Sequence, residues 1–208
     1  MQLNVTKWLT LVALLGSAVG ALQADSFTRT YTGSLSSSST VIEEAFSLSS
    51  TSNLVVTTTS YGGGTNLDGT AASMGGFQPS ITLYTASGNY VGTEQASSPV
   101  TNTDSVTGLA LDAYLSSSNL SAGGYIITLT NWELQQPPTA TNLSDGFTNY
   151  GGTALIDAGL NTRNASYALN AFVTPSAAAV PEPTTIELML VAIGGAALFS
   201  RRYSQSRS

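Results

Sequence analysis

The chain has 208 residues, 42% of them hydrophobic, which is enough for one domain with a real core; only 9% are charged, and the formal net charge is −6. Cysteine and histidine are absent, and Lys7 is the only lysine. These absences exclude disulfides, His- or Cys-ligated metal centres, Ser-His-Asp and Cys-His nucleophiles, and a Ser-Lys dyad anywhere beyond the first few residues.

Residues 1–24, MQLNVTKWLTLVALLGSAVGALQA, open with Lys7 as a positive n-region and continue into an apolar stretch from Trp8 to Val19. Gly20, Ala21 and Ala24 then supply the small residues of a cleavage site. This pattern predicts a secretory signal helix, removed by signal peptidase after Ala21 or Ala24. The apolar stretch is short for a lasting membrane span of about 20 residues.

From Asp25 to Val180, two arginines (Arg29 and Arg163) face ten carboxylates, a net of −8. Such a body repels phosphate backbones and anionic lipid, so nucleic acid is not expected as a partner. Between residues 25 and 174 short β-like runs alternate with Gly- and Ser-rich turns. They are FTRTYTGSL (27–35), VIEEAFSLS (41–49), NLVVTTTSY (53–61), a hairpin in SITLYTASGNYVGT (80–93) turning at Ala86-Ser87-Gly88-Asn89, GGYIITLTNW (123–132) and ASYALNAFV (165–173). None carries a helical period, so the expected fold is all-β: an antiparallel sandwich or jelly roll. Two long loops without structure of their own are expected at 62–76 and 135–152, and loops of that length are where binding is anticipated.

Without histidine, cysteine or lysine, the chemistry left to the body is that of carboxylates and aromatic rings. Glu43 and Glu44 are adjacent and alternate faces on a strand, so they form no acid–base pair of the glycosidase kind. The protein is therefore expected not to be an enzyme and to need no cofactor. A structural calcium ion is the one metal that the residues allow, with Asp68, Asp104 and Asp145, each near an asparagine (Asn66, Asn102, Asn142), as candidate oxygen ligands. The competing reading is that these are solvated turn acids. Most of Tyr61, Phe77, Tyr84, Tyr90, Trp132, Phe147 and Tyr150 read as core. Trp132 and Tyr150, beside the Pro-rich loop, are the least core-like and are the candidate ligand contacts.

Residues 175–180 read as a linker. Beyond it, Pro181-Glu182-Pro183 holds an extended backbone, Ile186 to Phe199 is apolar save for Glu187, and Arg201, Arg202 and Arg207 follow. About 14 apolar residues at ~1.5 Å each make a short transmembrane helix, better suited to a temporary stop than to a permanent anchor. The ordered array of Pro-Glu-Pro, apolar helix and arginine cluster over 181–208 resembles the PEP-CTERM sorting signal of Gram-negative bacteria. The resemblance implies recognition by an exosortase, a membrane-embedded transpeptidase, with Pro181, Glu182, Pro183, Arg201 and Arg202 as the sorting residues.

The body carries a second resemblance, on AFSLSSTSNLVVTTTSYGGGTN (45–66), GGFQPSITLYTASGNYVGT (75–93), LDAYLSSSNLSAGGYIITLT (111–130) and NLSDGF (142–147). These segments resemble, in order, those of secreted PEP-CTERM proteins of the bacterial pre-peptidase C-terminal β-sandwich type. Members often place Asp where this chain has Gln78, so no ion role is carried to that position. The sequence thus predicts an exported, non-catalytic protein of the cell envelope or extracellular matrix, in contact with exopolysaccharide. The alternative is a carbohydrate- or calcium-binding adhesion module using the two long loops.

Overall fold

In the computed structural model, the structure describes residues 26–94 and 102–176. The predicted signal segment (1–24) and sorting segment (181–208), with their helices, lie outside the described residues.

Eight strands of five residues or more carry the fold: β1 (Phe27–Ser34), β2 (Ile42–Leu48), β3 (Ser52–Thr58), β6 (Pro79–Thr85), β7 (Tyr90–Glu94), β8 (Tyr114–Leu120), β9 (Gly123–Asn131) and β12 (Ser166–Pro175). Four two-residue strands form small ladders: β4 (Gly64–Thr65) with β5 (Ala71–Ala72), and β10 (Leu134–Gln135) with β11 (Thr148–Asn149). One sheet runs β1-β12-β3-β8 and the other β2-β9-β6-β7, and every pairing within them is antiparallel. The first long strand pairs with the last, the second with the next to last, and the chain passes repeatedly from one sheet to the other. That strand order is a jelly roll, the more specific of the two predicted all-β architectures.

The alternation of side chains explains why these segments pair as they do. On β3, Leu54 and Val56 are buried while Asn53, Val55 and Thr57 are half-buried; on β12, Leu169, Ala171 and Val173 share the inner face. They meet Phe46 and Leu48 of β2, Ile81 and Leu83 of β6, and Ile127 and Leu129 of β9 in one cluster. A slip of one residue on any of these strands would carry its whole apolar set to the outer face, so the pattern fixes the register. Phe46 stacks on Tyr125 with centroids 5.6 Å apart and meets Phe27 edge-on at 5.8 Å. These rings tie β1, β2 and β9 together at one edge of the core.

The two segments expected to be unstructured loops are not. Residues 62–76 contain the β4–β5 ladder, and residues 135–152 contain half of the β10–β11 ladder and a one-turn 3₁₀ helix at Leu143–Asp145. Both ladders are two residues long, too short to leave a period in the sequence. β8 was not expected either: YLSSSNL is poor in β-branched and aromatic residues, and its strand is made by pairing with β3 at the edge of the sheet. Among the aromatics, Tyr61, Phe77 and Tyr84 are fully buried, as expected, whereas Tyr90 is 44% exposed. Tyr84 departs in another way, since it alternates with Ile81 and Leu83 and so faces away from the inter-sheet core. At the far end, β12 runs to Pro175 and Ser176 N donates to Thr51 O, so ordered pairing extends into the segment read as linker.

Because the core is one cluster shared by both sheets, Leu129→Ala should cost about 2–5 kcal/mol. The same truncation at Leu160, which is 77% exposed, should stay within about 0.5 kcal/mol. Urea unfolding midpoints of the purified variants check this, and equal midpoints would contradict the packing described here.

Candidate binding cleft and the buried charges behind it

Three of the ten acids of the body are buried at one end of the sandwich: Asp104, Asp112 and Asp157, none more than 1% exposed. A buried carboxylate needs donors or a cation: Asp104 has both, and Asp112 and Asp157 are met by neutral donors. Arg163 Nη2 lies 2.7 Å from Asp104 Oδ2, and both side chains are buried. Arg163 Nε also donates to Gly76 O (3.0 Å), and its guanidinium carbon sits 4.2 Å from the centroid of the Tyr61 ring. The Tyr61 hydroxyl donates to Asp157 Oδ2 at 2.7 Å, and the backbone N–H groups of Tyr61 and Gly62 donate to the Asp112 carboxylate at 3.0 and 2.8 Å. Thr58 Oγ1 completes the Asp112 shell at 2.8 Å.

These contacts shift the acids in different directions. The Arg163 hydrogen bond, opposed in part by burial and helped by the amides of Thr107 and Val106, holds Asp104 down to about 2. Burial pushes Asp112 up, against its three donors. Burial would also raise Asp157, but the Tyr61 hydroxyl and the donors of Asn161 and Gly159 outweigh it and leave the carboxyl below its ordinary value. Tyr61 is pushed up to about 12, chiefly by burial.

The segment 155–163 carries this network outward to Trp132. Arg163 N donates to Leu155 O, Trp132 Nε1 donates to Ile156 O at 2.8 Å, and Ala158 N donates to Gln78 Oε1 at 2.8 Å. Gln78 in turn accepts the Trp132 N–H at its own carbonyl (2.9 Å). The indole is therefore fixed both through its backbone and through its ring nitrogen.

From Trp132 the chain folds back over the outer face of the β2-β9-β6-β7 sheet. Ser80, Thr82 and Tyr84 of β6 point outward, yet they are buried, because residues 133–150 cover them. This flap is anchored at its far end to the β6–β7 turn: Tyr90 N donates to Thr141 O, and Leu143 N donates to Gly88 O. Asn142 caps the 3₁₀ turn through Ser144 N, and Asp145 Oδ2 returns to the Asn142 N–H, a reciprocal capping box. Gly88, at φ 84°, lies so close to Asn142 that a Cβ would stand 2.6 Å from Asn142 Oδ1. The turn requires glycine both for its left-handed backbone and for this approach.

Where flap and sheet edge meet there is an open cleft of about 400 Å³, lined by Trp132, Glu133, Gln135, Gln136, Pro138 and Tyr150. Its size falls within the ~300–1,000 Å³ usual for small-molecule sites. Tyr150 is 61% exposed, and Glu133 Oε2 is buried with no hydrogen-bond partner among the described residues. Gly151 packs flat on the Glu133 carboxylate, where a Cβ would overlap it. A smaller hollow of about 90 Å³ adjoins, sharing Gln135 and Gln136 and adding the hydroxyls of Ser80, Thr82 and Thr93.

The two sequence-predicted ligand contacts, Trp132 and Tyr150, thus line one cleft. The three predicted calcium ligands are scattered. Asp68 is exposed in the β4–β5 turn, where the hydroxyl and amide of Thr70 bond it and lower its pKa; Asp104 is paired with Arg163; Asp145 closes the capping box. For Asp104 the reading as a solvated turn acid is corrected by its burial. Among the described residues no group of three acidic side chains is placed to share an ion. Sequence reasoning passed over Arg163, Glu133, Gln135 and Gln136. Arg163 carried a signal, being one of only two arginines against ten acids.

Residues 179–202 match the family model of the PEP-CTERM protein-sorting motif. The match contains all five predicted sorting residues, Pro181, Glu182, Pro183, Arg201 and Arg202, which lie outside the described residues. A PEP-CTERM signal belongs to exported proteins sorted to the cell envelope, and its partner is an exosortase-type processing enzyme. No curated protein matches the chain.

Replacing Arg163 by Met should cost about 3–5 kcal/mol, since it leaves Asp104 buried without its cation. The pH dependence has a definite sign. Asp104 holds its proton less readily folded than unfolded, so its contribution is complete above the ordinary carboxyl pKa and is lost as pH falls from about 4 towards 2. Asp112, raised by burial, acts oppositely, favouring the fold when protonated and opposing it as pH rises through its folded pKa. Urea midpoints followed from pH 6 to pH 2.5 should therefore fall less in Asp104→Asn than in the unaltered protein, from a lower starting value. Parallel curves would remove Asp104 as the acid-sensitive group.

Proposed function

We propose that the chain is an exported, non-catalytic protein of the cell envelope or extracellular matrix, processed through its PEP-CTERM signal. The observation that carries this reading is the sorting motif at residues 179–202, following an all-β domain that ends in β12. The N-terminal 24 residues would thread the chain outward and be removed by signal peptidase. The apolar run from Ile186 to Phe199 would halt it, and an exosortase would cut near Pro181-Glu182-Pro183. The domain would resemble the pre-peptidase C-terminal type of sandwich and would be the cargo.

Several observations support a non-catalytic body. Glycoside hydrolysis uses two carboxylates flanking the bond, and the cleft is lined by one, Glu133. Asp104, Asp112 and Asp157 are buried and engaged by donors that leave no reacting atom in reach. A second reading, the adhesion module, is favoured at one place, the cleft that joins Trp132 to Tyr150. Its calcium branch has weaker support, since Asp68, Asp104 and Asp145 each serve local hydrogen bonds, and in our reading the domain folds without metal.

The sorting reading is tested by intact mass of the protein recovered from the envelope and the medium of its own host, beside Pro181→Ala/Glu182→Ala/Pro183→Ala. Loss of both terminal segments in the unaltered protein, with the C-terminal segment kept in the variant, is the expected result. A mass that still includes Ile186 to Ser208 in the unaltered protein would make the segment a lasting anchor and end the processing step. For the metal, addition of a chelator should leave the thermal midpoint of the purified protein unchanged; a drop of several degrees would establish a structural ion.

A further inference from the structure

We propose that the Trp132–Tyr150 cleft binds an uncharged hexose chain. The proposal deepens the adhesion reading and rests on it only in placing the domain outside the cell, where such polymers lie.

The lining chooses the ligand class. Trp132 cannot turn, because its N–H and its Nε1–H are both committed, to Gln78 O and Ile156 O. Tyr150 is an exposed ring in the same lining, and its backbone N–H donates to Glu133 O at 2.9 Å. The two rings offer the apolar C–H faces of a pyranose a surface to cover, and the indole is already fixed before binding. The polar groups beside them both donate and accept. One N–H of Gln135 Nε2 donates to Trp132 O and one of Gln136 Nε2 to Asn142 O, so each amide keeps its second N–H and its carbonyl oxygen for a ligand. Glu133, half-buried with Gly151 packed on it, adds a carboxylate to the lining. A ligand that suits this lining has hydroxyls able both to donate and to accept and an apolar face, and a hexose has both.

Charge narrows the class further. No lysine or arginine lines either hollow, and Glu133 sits among the lining residues of a body with a net charge of −8. Uronate, sulfate and phosphate groups are disfavoured there. The cleft also has somewhere to go. It meets the smaller hollow at Gln135 and Gln136, where Ser80 lies beside the mutually bonded hydroxyls of Thr82 and Thr93, so a substituent of the chain can reach beyond the first sugar unit.

Within residues 25–180 Trp132 is the only tryptophan, so its fluorescence reports on the cleft alone once the signal is removed. The protein purified from its host is titrated with cellohexaose, laminarihexaose and maltohexaose, with a chitosan hexamer as the cationic arm and an alginate hexamer as the anionic one. At least one neutral hexamer should shift the Trp132 emission in a saturable way and give binding heat, and alginate should do neither. Tyr150→Ala, which removes an exposed ring, and Glu133→Gln, which keeps the shape, should each weaken the neutral ligand about tenfold or more. Phe172→Ala, on the opposite sheet, should leave it unchanged.

Failure of all three neutral hexamers, equal or tighter binding of alginate or chitosan, or full affinity in Tyr150→Ala would each overturn the proposal. Because binding is read on purified protein, none of these results bears on the processing step, and failed processing leaves the titration intact.

Discussion

The guanidinium of Arg163 is the constraint on which the loop end of this domain depends. Ten acids and two arginines in a cysteine-free body would ordinarily place every carboxylate in water. Instead three are buried, and one cation stands among them. Arg163 reaches Asp104 and Gly76 by hydrogen bonds and covers the face of Tyr61, whose hydroxyl and N–H groups reach Asp157 and Asp112. Lysine could supply the charge but not the flat surface on Tyr61 or the divergent N–H groups that reach Gly76 and Asp104 together. Four stretches that the sheets do not order by themselves, 58–62, 76, 104–113 and 155–163, are joined by that one side chain and its partners. In a fold without disulfides or a demonstrated metal, this is how the crossings between sheets are fixed.

The cleft inherits its geometry from this arrangement. The segment 155–163, held by Arg163 and Asp157, presents Ile156 O to the indole of Trp132 and Ala158 N to Gln78. Gln78 then holds the backbone of Trp132 where β9 ends and the flap begins. The other end of the flap is held independently, by the capping box of Asn142 and Asp145 and by the β6–β7 turn at Gly88. The stretch between, with Gln135, Gln136 and Pro138, is suspended across two fixed points, and Tyr150 returns beside Glu133 through the β10–β11 ladder. The indole wall of the cleft is therefore set within the fold itself, by hydrogen bonds to Ile156 O and Gln78 O.

How much of this the sequence discloses follows from how each element is stabilised. Strands β1, β2, β3, β6, β9 and β12 show themselves because each carries alternating apolar residues dictated by its own inner face, and β7 shows itself through the hairpin turn at residues 86–89 that joins it to β6. β8 does not, since LSSSN becomes a strand through its neighbour β3 rather than through its own pattern. The ladders β4–β5 and β10–β11 are equally mute, two residues each being no period at all. Trp132 and Tyr150 were visible as aromatics outside the strand alternation, and they do line one cleft. Asp104 was visible only as an acid in a loop, because nothing local distinguishes a solvated aspartate from one whose partner is Arg163, 59 residues further on. Glu133 and the two glutamines belong to the same class: their roles exist only after the flap has closed over the sheet.

The topology also bears on how such a domain is exported. β12, the last strand, is not an edge: it lies between β1 and β3, and its inner face supplies Leu169, Ala171 and Val173 to the core. Until residues 166–175 have crossed the membrane, β1 has no partner in its sheet and the core lacks one wall, so the jelly roll cannot close by any earlier route. The PEP-CTERM motif begins at residue 179, four positions beyond the end of β12. Translocation must therefore proceed almost to the sorting motif before folding can finish. The sorting motif thus lies on a segment that the finished sheet does not need. A domain whose first strand pairs with its last is suited to that arrangement, because the strand whose arrival completes the sheet is also the one that leads into the signal.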